Sequence, residues 1–150
     1  MVSSARLEAV RAIVAEVRDP ELPSLTIQDM GVLREVRFEG ETVVVSITPT
    51  YSGCPAMGVI AEDIAAALRS HSFESRVETV LSPAWTTDWM SEAARAKLMD
   101  AGVGAPGSRT CPNCGSDQTR SLSEYGSTAC QALHVCESCS ETFPHFKTHR

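Results

Sequence analysis

The chain holds six cysteines in 150 residues, and five of them fall after residue 110. Four form two matched pairs, Cys111-Pro112-Asn113-Cys114 and Cys136-Glu137-Ser138-Cys139. Two residues between thiolates put both sulfurs on one side of a tight turn, with backbone amides pointing at them. Two such turns close a tetrahedral four-sulfur metal site. Zinc is the default ion for a closed structural site, although four thiolates also suit iron, alone or in a cluster. Cys130 is left over, six residues before Cys136. Two readings stand for it: a buried or incidental thiol, or an alternative ligand for the metal or for a metal in transfer. His134, His145 and His149 lie nearby, and with four sulfurs available they are expected to be solvated rather than ligating.

The sixth cysteine stands alone in Thr48-Pro49-Thr50-Tyr51-Ser52-Gly53-Cys54-Pro55. An apolar run, Val43-Val44-Val45-Ser46-Ile47, leads into this stretch and a helical pattern leads out of it. Pro55 suits a first helical turn, where its missing amide costs nothing. Gly53 permits a sharp turn and a close backbone approach. Cys54 is therefore expected near helix-terminal amides and the positive end of a helix dipole, and both favour the thiolate. The competing reading is a small buried residue filling a strand–helix corner. Thr48, Thr50 and Ser52 crowd hydroxyls into the same turn, which a purely apolar corner does not need. Upstream, Asp19-Pro20-Glu21 reads first as helix-stop chemistry. Its two carboxylates, Asp19 and Glu21, are also candidates to support Cys54 if that thiol transiently holds iron or an iron–sulfur cluster.

The totals bound what such thiols could serve. A formal net charge of −6 argues against nucleic acid as a partner, because phosphate binding wants a basic face. No apolar run approaches membrane-spanning length, and residues 1–20 are patterned for an amphipathic helix rather than a signal peptide, so the expected location is cytoplasmic. No Ser–His–Asp arrangement, phosphate loop or acid–base carboxylate pair appears. Cys54 as a nucleophile on a coenzyme A thioester lacks a histidine base placed by sequence.

The elements that must position these groups follow from periodicity. Leu7, Val10, Ile13, Val14 and Val17 predict a helix over residues 4–18, ended by Asp19-Pro20. Residues 27–33 form a short apolar stretch broken at Gly31. Val36 and Phe38 alternate as in a half-buried strand, Glu39-Gly40-Glu41 is a turn, and residues 43–47 form the second strand of an antiparallel hairpin. Val44 suggests that this strand is covered on both sides. Met57, Ile60, Ala61, Ile64 and Leu68 mark one buried helical stripe. Residues 73–81 read as a third strand, and its connection from the second through the helix would be right-handed if those two strands are parallel neighbours. The expected fold class is α+β: a small mixed sheet with helices on one face, followed by a zinc-ribbon-like module. Both tryptophans, Trp85 and Trp89, precede a helix over residues 91–101. They could anchor that helix or form a partner surface. The Gly/Pro/Ser-rich run 102–109 reads as a linker, giving an α+β domain over 1–101 and a four-cysteine module over 110–150.

Three motifs together, Asp19-Pro20-Glu21, Ile27-x-Asp29-Met30-Gly31-Val32 and the Thr48-to-Pro55 stretch, resemble the domain shared by SufT-type proteins and the eukaryotic cytosolic iron–sulfur targeting factor. In that family Cys54 occupies the hallmark position; Met30 replaces its usual leucine. Downstream, Leu81-Ser82-Pro83-Ala84-Trp85-Thr86-Thr87-Asp88-Trp89-Met90, the Cys-Pro-x-Cys-Gly knuckle and Tyr125-Gly126-Ser127-Thr128-Ala129-Cys130 narrow the match. Over residues 5–147 the chain is similar to the PaaD (PaaJ) type of accessory protein in bacterial phenylacetyl-CoA monooxygenase (epoxidase) systems. The resemblance implies aerobic phenylacetate degradation and a non-catalytic role in maturing metal centres. It implies as partners the di-iron oxygenase subunits and a flavin reductase carrying a 2Fe–2S cluster, with iron–sulfur assembly machinery as a further partner and homodimerisation left open. A structural component of the oxygenase complex is the alternative. No Glu-x-x-His di-iron motif and no flavin fingerprint is present, so the chain itself offers thiols rather than the oxygenase chemistry.

Overall fold

The computed structural model describes residues 3–50 and 55–148. They divide into two compact units, Met1–Trp85 and Thr86–Arg150.

In the first unit, helix α1 spans Ser4–Ala15, with the Ser3 side chain accepting a hydrogen bond from the Arg6 amide. The helix is three residues shorter than its apolar spacing suggests. Val17 already turns back on Val14, and Arg18 bridges to Thr26 in extended geometry, so the chain leaves the helix before Pro20 enforces it. A single helical turn, α2 (Ile27–Met30), follows and is held by a capping box: Asp29 N donates to Thr26 Oγ1 at 3.0 Å, and Thr26 N donates to Asp29 Oδ2 at 3.1 Å. Gly31 ends it at φ 76°, a conformation that favours glycine.

Strands β1 (Leu33–Glu39) and β2 (Thr42–Ile47) form the expected antiparallel hairpin, with Val36 opposite Val45 and Phe38 opposite Val43. Helix α3 (Ala56–Arg69) crosses over to β3 (Glu74–Thr79), which pairs parallel with β2 in the order β1-β2-β3. The buried stripe of α3 is Ala56, Ile60, Ile64 and Leu68; it joins Val10 and Val14 of α1 and Val43, Val45 and Ile47 of β2 in the core. Arg6 of α1 lies over the rings of Phe38 and Phe73, closing that helix onto the sheet. The other side of β2 is covered as well, but by side chains. Arg37 and Arg76 are paired with Glu35, Glu39 and Glu78 on the strands flanking buried Val44, and Arg37 also donates to Ser46. Long stems with charged tips shield apolar surface in this way. The third strand stops at Thr79, and Leu81, expected within it, is exposed.

The second unit begins with a short 3₁₀ turn over Thr87–Trp89 and helix α4 (Glu92–Asp100), capped by Ser91. Three antiparallel strands follow: β4 (Thr119–Ser123), β5 (Gln131–Cys136) and β6 (Thr142–Phe146), in that order. Residues 102–109, expected as a linker, are packed. Gly104 N donates to Pro144 O and Phe146 N donates to Gly104 O, both at 2.8 Å, so this segment pairs with β6. Val103, Ala105 and Pro106 are buried. Arg95 of α4 donates to the carbonyls of Thr87 and Pro106. These bonds place α4 with the ribbon, and the division falls at Trp85/Thr86 rather than at residue 101. Composition suggested flexibility here, but the small residues serve close packing. A Cβ on Gly104 would lie 2.5 Å from His145 Cδ2 and 3.1 Å from Phe143 Cε2.

Candidate metal centre and thiol turn

The four paired cysteines converge. Their sulfurs all lie within 4.8 Å of one another. Cys111 Sγ is 3.8 Å from Cys139 Sγ, and Cys114 Sγ is 3.6 Å from Cys136 Sγ. A tetrahedral ion with metal–sulfur bonds of about 2.3 Å separates its sulfurs by about 3.8 Å, so the spacing fits a single bound ion. The positions follow from the local fold. Cys136 is the last residue of β5, opposite Thr119 of β4. The two knuckles are closed by Gly115 N to Cys111 O at 2.9 Å and Ser140 N to Cys136 O at 2.8 Å. Gly115 and Ser140 take positive φ there, 79° and 67°. Cys111 and Cys136 are buried and pack with Phe143, while Cys114 and Cys139 are exposed.

The electrostatics suit a cation. The amides of Cys139 and Ser138 draw the Cys136 thiol down to about 6 against the opposing effect of burial. For Cys139 the Glu141 amide acts downward, but burial and the three neighbouring sulfurs outweigh it and push the thiol up to about 12. Four sulfurs this close cannot all ionise without a positive charge among them. A bound ion supplies that charge, and its binding releases protons.

Cys130 does not join this cluster. It precedes β5 while Cys136 ends that strand; at about 3.3 Å per residue they stand about 20 Å apart. Its expected alternative as an extra ligand is thereby corrected: the sulfur is buried and lies 3.1 Å from Thr128 Oγ1. The histidines also differ from expectation. His134 and His145 stack at 4.1 Å with their rings 5° apart, and His145 Nε2 lies 2.9 Å from Ser108 O. Burial, together with the charge of His145, lowers the pKa of His134. His149 lies outside the described residues. Nothing in residue spacing announced the stack, because strand register creates it: Ala132 faces His145, and His134 faces Phe143.

In the first unit, Ser52, Gly53 and Cys54 lie outside the described residues. Their neighbours are placed. Asp19 is 7% exposed, and its Oδ1 accepts from the amides of Glu21 at 2.8 Å and Leu22 at 3.2 Å. Burial raises its pKa, and the two amides oppose that shift. Glu21 is half-buried, as is Thr50. Thr48 is 1% exposed, and its Oγ1 has no hydrogen-bond partner among the described residues. Backbone hydrogen bonds bring the Asp19 loop and Thr48 to one end of the sheet: Ile27 N to Val17 O, Val32 N to Ile27 O, and Thr48 N to Val32 O, at 2.8, 3.0 and 2.9 Å. Helix α3 starts at Ala56, two residues after Cys54 in the chain, and Pro55 provides no side-chain cap. Trp85, one of the two residues weighed as a partner surface, is 4% exposed and donates from Nε1 to Met30 O at 2.8 Å. It is an anchor within the first unit, not a contact surface. Trp89 is half-buried.

Two family models match the chain: an iron–sulfur cluster assembly protein model over residues 7–82, and the PaaD zinc beta ribbon domain over residues 99–147. A protein of Escherichia coli K12, named for its place among the subunits of 1,2-phenylacetyl-CoA epoxidase, is 40% identical over 97% of this chain and 95% of its own. An Fe-S protein maturation auxiliary factor of Porphyromonas gingivalis is 30% identical over 61% of this chain and 89% of its own. Among solved structures, a domain of unknown function from Bacillus anthracis aligns with a TM-score of 0.57 at 31% identity, covering 63% of this chain and 92% of that one. A conserved protein of Thermotoga maritima aligns with a TM-score of 0.51 at 28% identity, covering 65% and 94%. Near-full-length identity, with the assembly domain and the ribbon matched in their own halves, settles the family: the chain belongs to the PaaD family, in which an iron–sulfur cluster assembly protein domain is followed by a zinc β-ribbon.

Proposed function

We propose that this protein is an accessory maturation factor for a phenylacetyl-CoA epoxidase system in aerobic phenylacetate degradation, and that it performs no step of the epoxidation itself. The observation that carries this reading is the joining, in one chain, of a domain similar to Fe-S protein maturation factors with 40% identity to a protein named as part of the epoxidase. Cys54 handles the cargo: its thiol gives up a proton and coordinates iron or an iron–sulfur cluster transiently. Asp19 and Glu21, with Thr50 and Ser52, support that turn. The clients are the di-iron oxygenase subunits or the reductase with its 2Fe–2S cluster, and the ribbon, with the half-buried Trp89 near its start, is the docking module. Zinc is the ion for Cys111, Cys114, Cys136 and Cys139; bound there, it cross-links the two knuckles and contributes folding energy.

The test is complementation of a strain lacking the gene. Cys54→Ser is expected to leave the protein folded, with its zinc, while epoxidase activity in those cells falls by about tenfold or more, the size of effect expected from loss of a reacting group. Full activity in that variant removes the thiol from the mechanism. A second reading, a structural component of the oxygenase complex, is favoured by the name of the Escherichia coli relative. Fixed stoichiometry with the mature oxygenase through purification would support it, whereas release after metal loading supports maturation.

A further inference from the structure

Strand β3 (Glu74–Thr79) is an edge strand: β2 pairs with one side of it, and no ladder among the described residues occupies the other. Val80 N donates to Ile47 O at 2.8 Å. Backbone groups alternate sides along a strand, so Glu74, Arg76 and Glu78 also address β2, while Ser75, Val77 and Thr79 turn their N–H and C=O outward. Charged side chains commonly keep such an edge from pairing. On β3 they alternate in sign along one face, Glu74, Arg76, Glu78, and this makes the strand complementary to itself.

We propose that two copies of this chain pair antiparallel through β3, about a two-fold axis at Val77, and so join their sheets into one. This register sets Val77 opposite Val77 and Ser75 opposite Thr79 of the second copy, so each outward N–H and C=O meets its counterpart in a hydrogen-bonded pair. Between them Arg76 stands opposite Glu78 of the second copy, and Glu78 opposite Arg76. These are non-hydrogen-bonded positions, where facing side chains come closest. Arg76 already pairs with Glu39, and with Glu78 of its own strand at 3.1 Å, yet the two side chains remain 51% and 36% exposed and open to a second chain. Neighbouring registers fail. Centred on Arg76, the strand sets arginine against arginine and Glu74 against Glu78; centred on Glu78, it sets glutamate against glutamate. Centred on Ser75, it needs Ser72 and Phe73 to continue the ladder, but Ser72 has φ 67° and Phe73 N donates to Leu68 O. The Val77 register also carries Leu81, 61% exposed just beyond the strand, toward Phe73 of the second copy. The pairing stands on β3 alone and does not depend on the maturation reading.

Sedimentation of the full-length chain with its ribbon metal bound reads the association. Salt of about 0.15 M screens the net charge of −6 on each chain beyond about 8 Å and leaves contact pairs in place. An interface of one strand ladder is small, so the parent is expected to pass from monomer to dimer between about 1 and 100 μM. Arg76→Glu alone sets glutamate against glutamate, and Glu78→Arg alone sets arginine against arginine. Each is expected to weaken the dimer about tenfold or more, because the two-fold axis repeats the clash. Mixed in equal amounts, the two variants face each other with opposite charges and are expected to associate within about threefold of the parent. A damaged monomer could not give that rescue. Hydrogen exchange at the Ser75, Val77 and Thr79 amides is expected to slow as the parent is concentrated through the same range. A parent that stays monomeric at about 100 μM overturns the proposal and leaves the edge to a different partner. So does a dimer that neither reversal weakens, a mixture no tighter than the separate variants, or a dimer in which those amides exchange as fast as in the monomer.

Discussion

Asp19 sits where its charge is disfavoured, and this gives its substitutions opposite signs. Its folded pKa is raised by burial, so the stability associated with this group is fully present below the unfolded value and is lost as pH rises through the folded pKa. Asp19→Asn keeps an oxygen for the Glu21 and Leu22 amides and removes the charge. Its melting temperature is expected to match or exceed that of the parent at neutral pH, with the advantage shrinking as pH falls toward about 4. Asp19→Ala instead strands two amides and is expected to cost about 1–3 kcal/mol at pH 7, measured by urea unfolding. That residues 19–20 lie outside a helix could be read from Pro20, although the helix already ends at Ala15. The burial of Asp19 could not, because that depends on residues 25–32 folding back over it. Gly104 makes the same point in the second unit. Against His145 Cδ2 at 2.5 Å, Gly104→Ala is expected to cost the second unit about 1–3 kcal/mol, checked by its thermal transition. In sequence this glycine read as a loosening residue.

At the scale of elements, most of the reading came from short-range rules. Alternation located β1 and β2, the glycine-containing turn paired them, and a helical stripe located α3, because both periodicities are set by backbone geometry. That β3 pairs with β2, and in parallel, was left as a condition by the sequence and is decided by the fold. The cover on the outer face of β2 was legible as a need, since Val44 is apolar, but not as a solution. An ion-pair lattice supplies it, with the Arg37 and Glu78 side chains about a third exposed. Such pairs are weak and screened. Raising salt from about 0.1 M to about 1 M is therefore expected to change the first unit's stability by less than about 1 kcal/mol, whereas Ile64→Ala, in the buried stripe of α3, should cost about 2–5 kcal/mol in the same denaturation assay. The short α2 turn went unread although Thr26-x-x-Asp29 is a capping pattern; one turn is too brief for periodicity to register.

The whole molecule has two stability sources of different kinds. The first unit buries an apolar core between helices and sheet, while the second is small and carries a four-sulfur cluster beside a few buried apolar side chains. Below the size at which a core suffices, a bound ion contributes folding energy directly. Treatment of the full chain with a strong chelator is expected to abolish the second unit's unfolding transition and leave the first unit's transition in place, as read by calorimetry. Replacing both Cys111 and Cys114 by serine is expected to lower bound metal by about one equivalent per chain in elemental analysis. Retention of metal in that variant would show that the ion is held elsewhere.

The sequence by itself determined the fold class, the family and the four-sulfur site. These depend on residue type and on spacing along the chain, and a Cys-x-x-Cys turn brings its sulfurs together whatever surrounds it. Tertiary structure alone decided which groups are enclosed. Trp85 became an anchor once Met30 O lay within reach of its indole, residues 103–106 became part of the ribbon once β6 offered them an edge, and Cys130 was separated from the four-sulfur cluster by the length of β5. Burial and partnership arise between residues distant in the chain, and no local pattern encodes them.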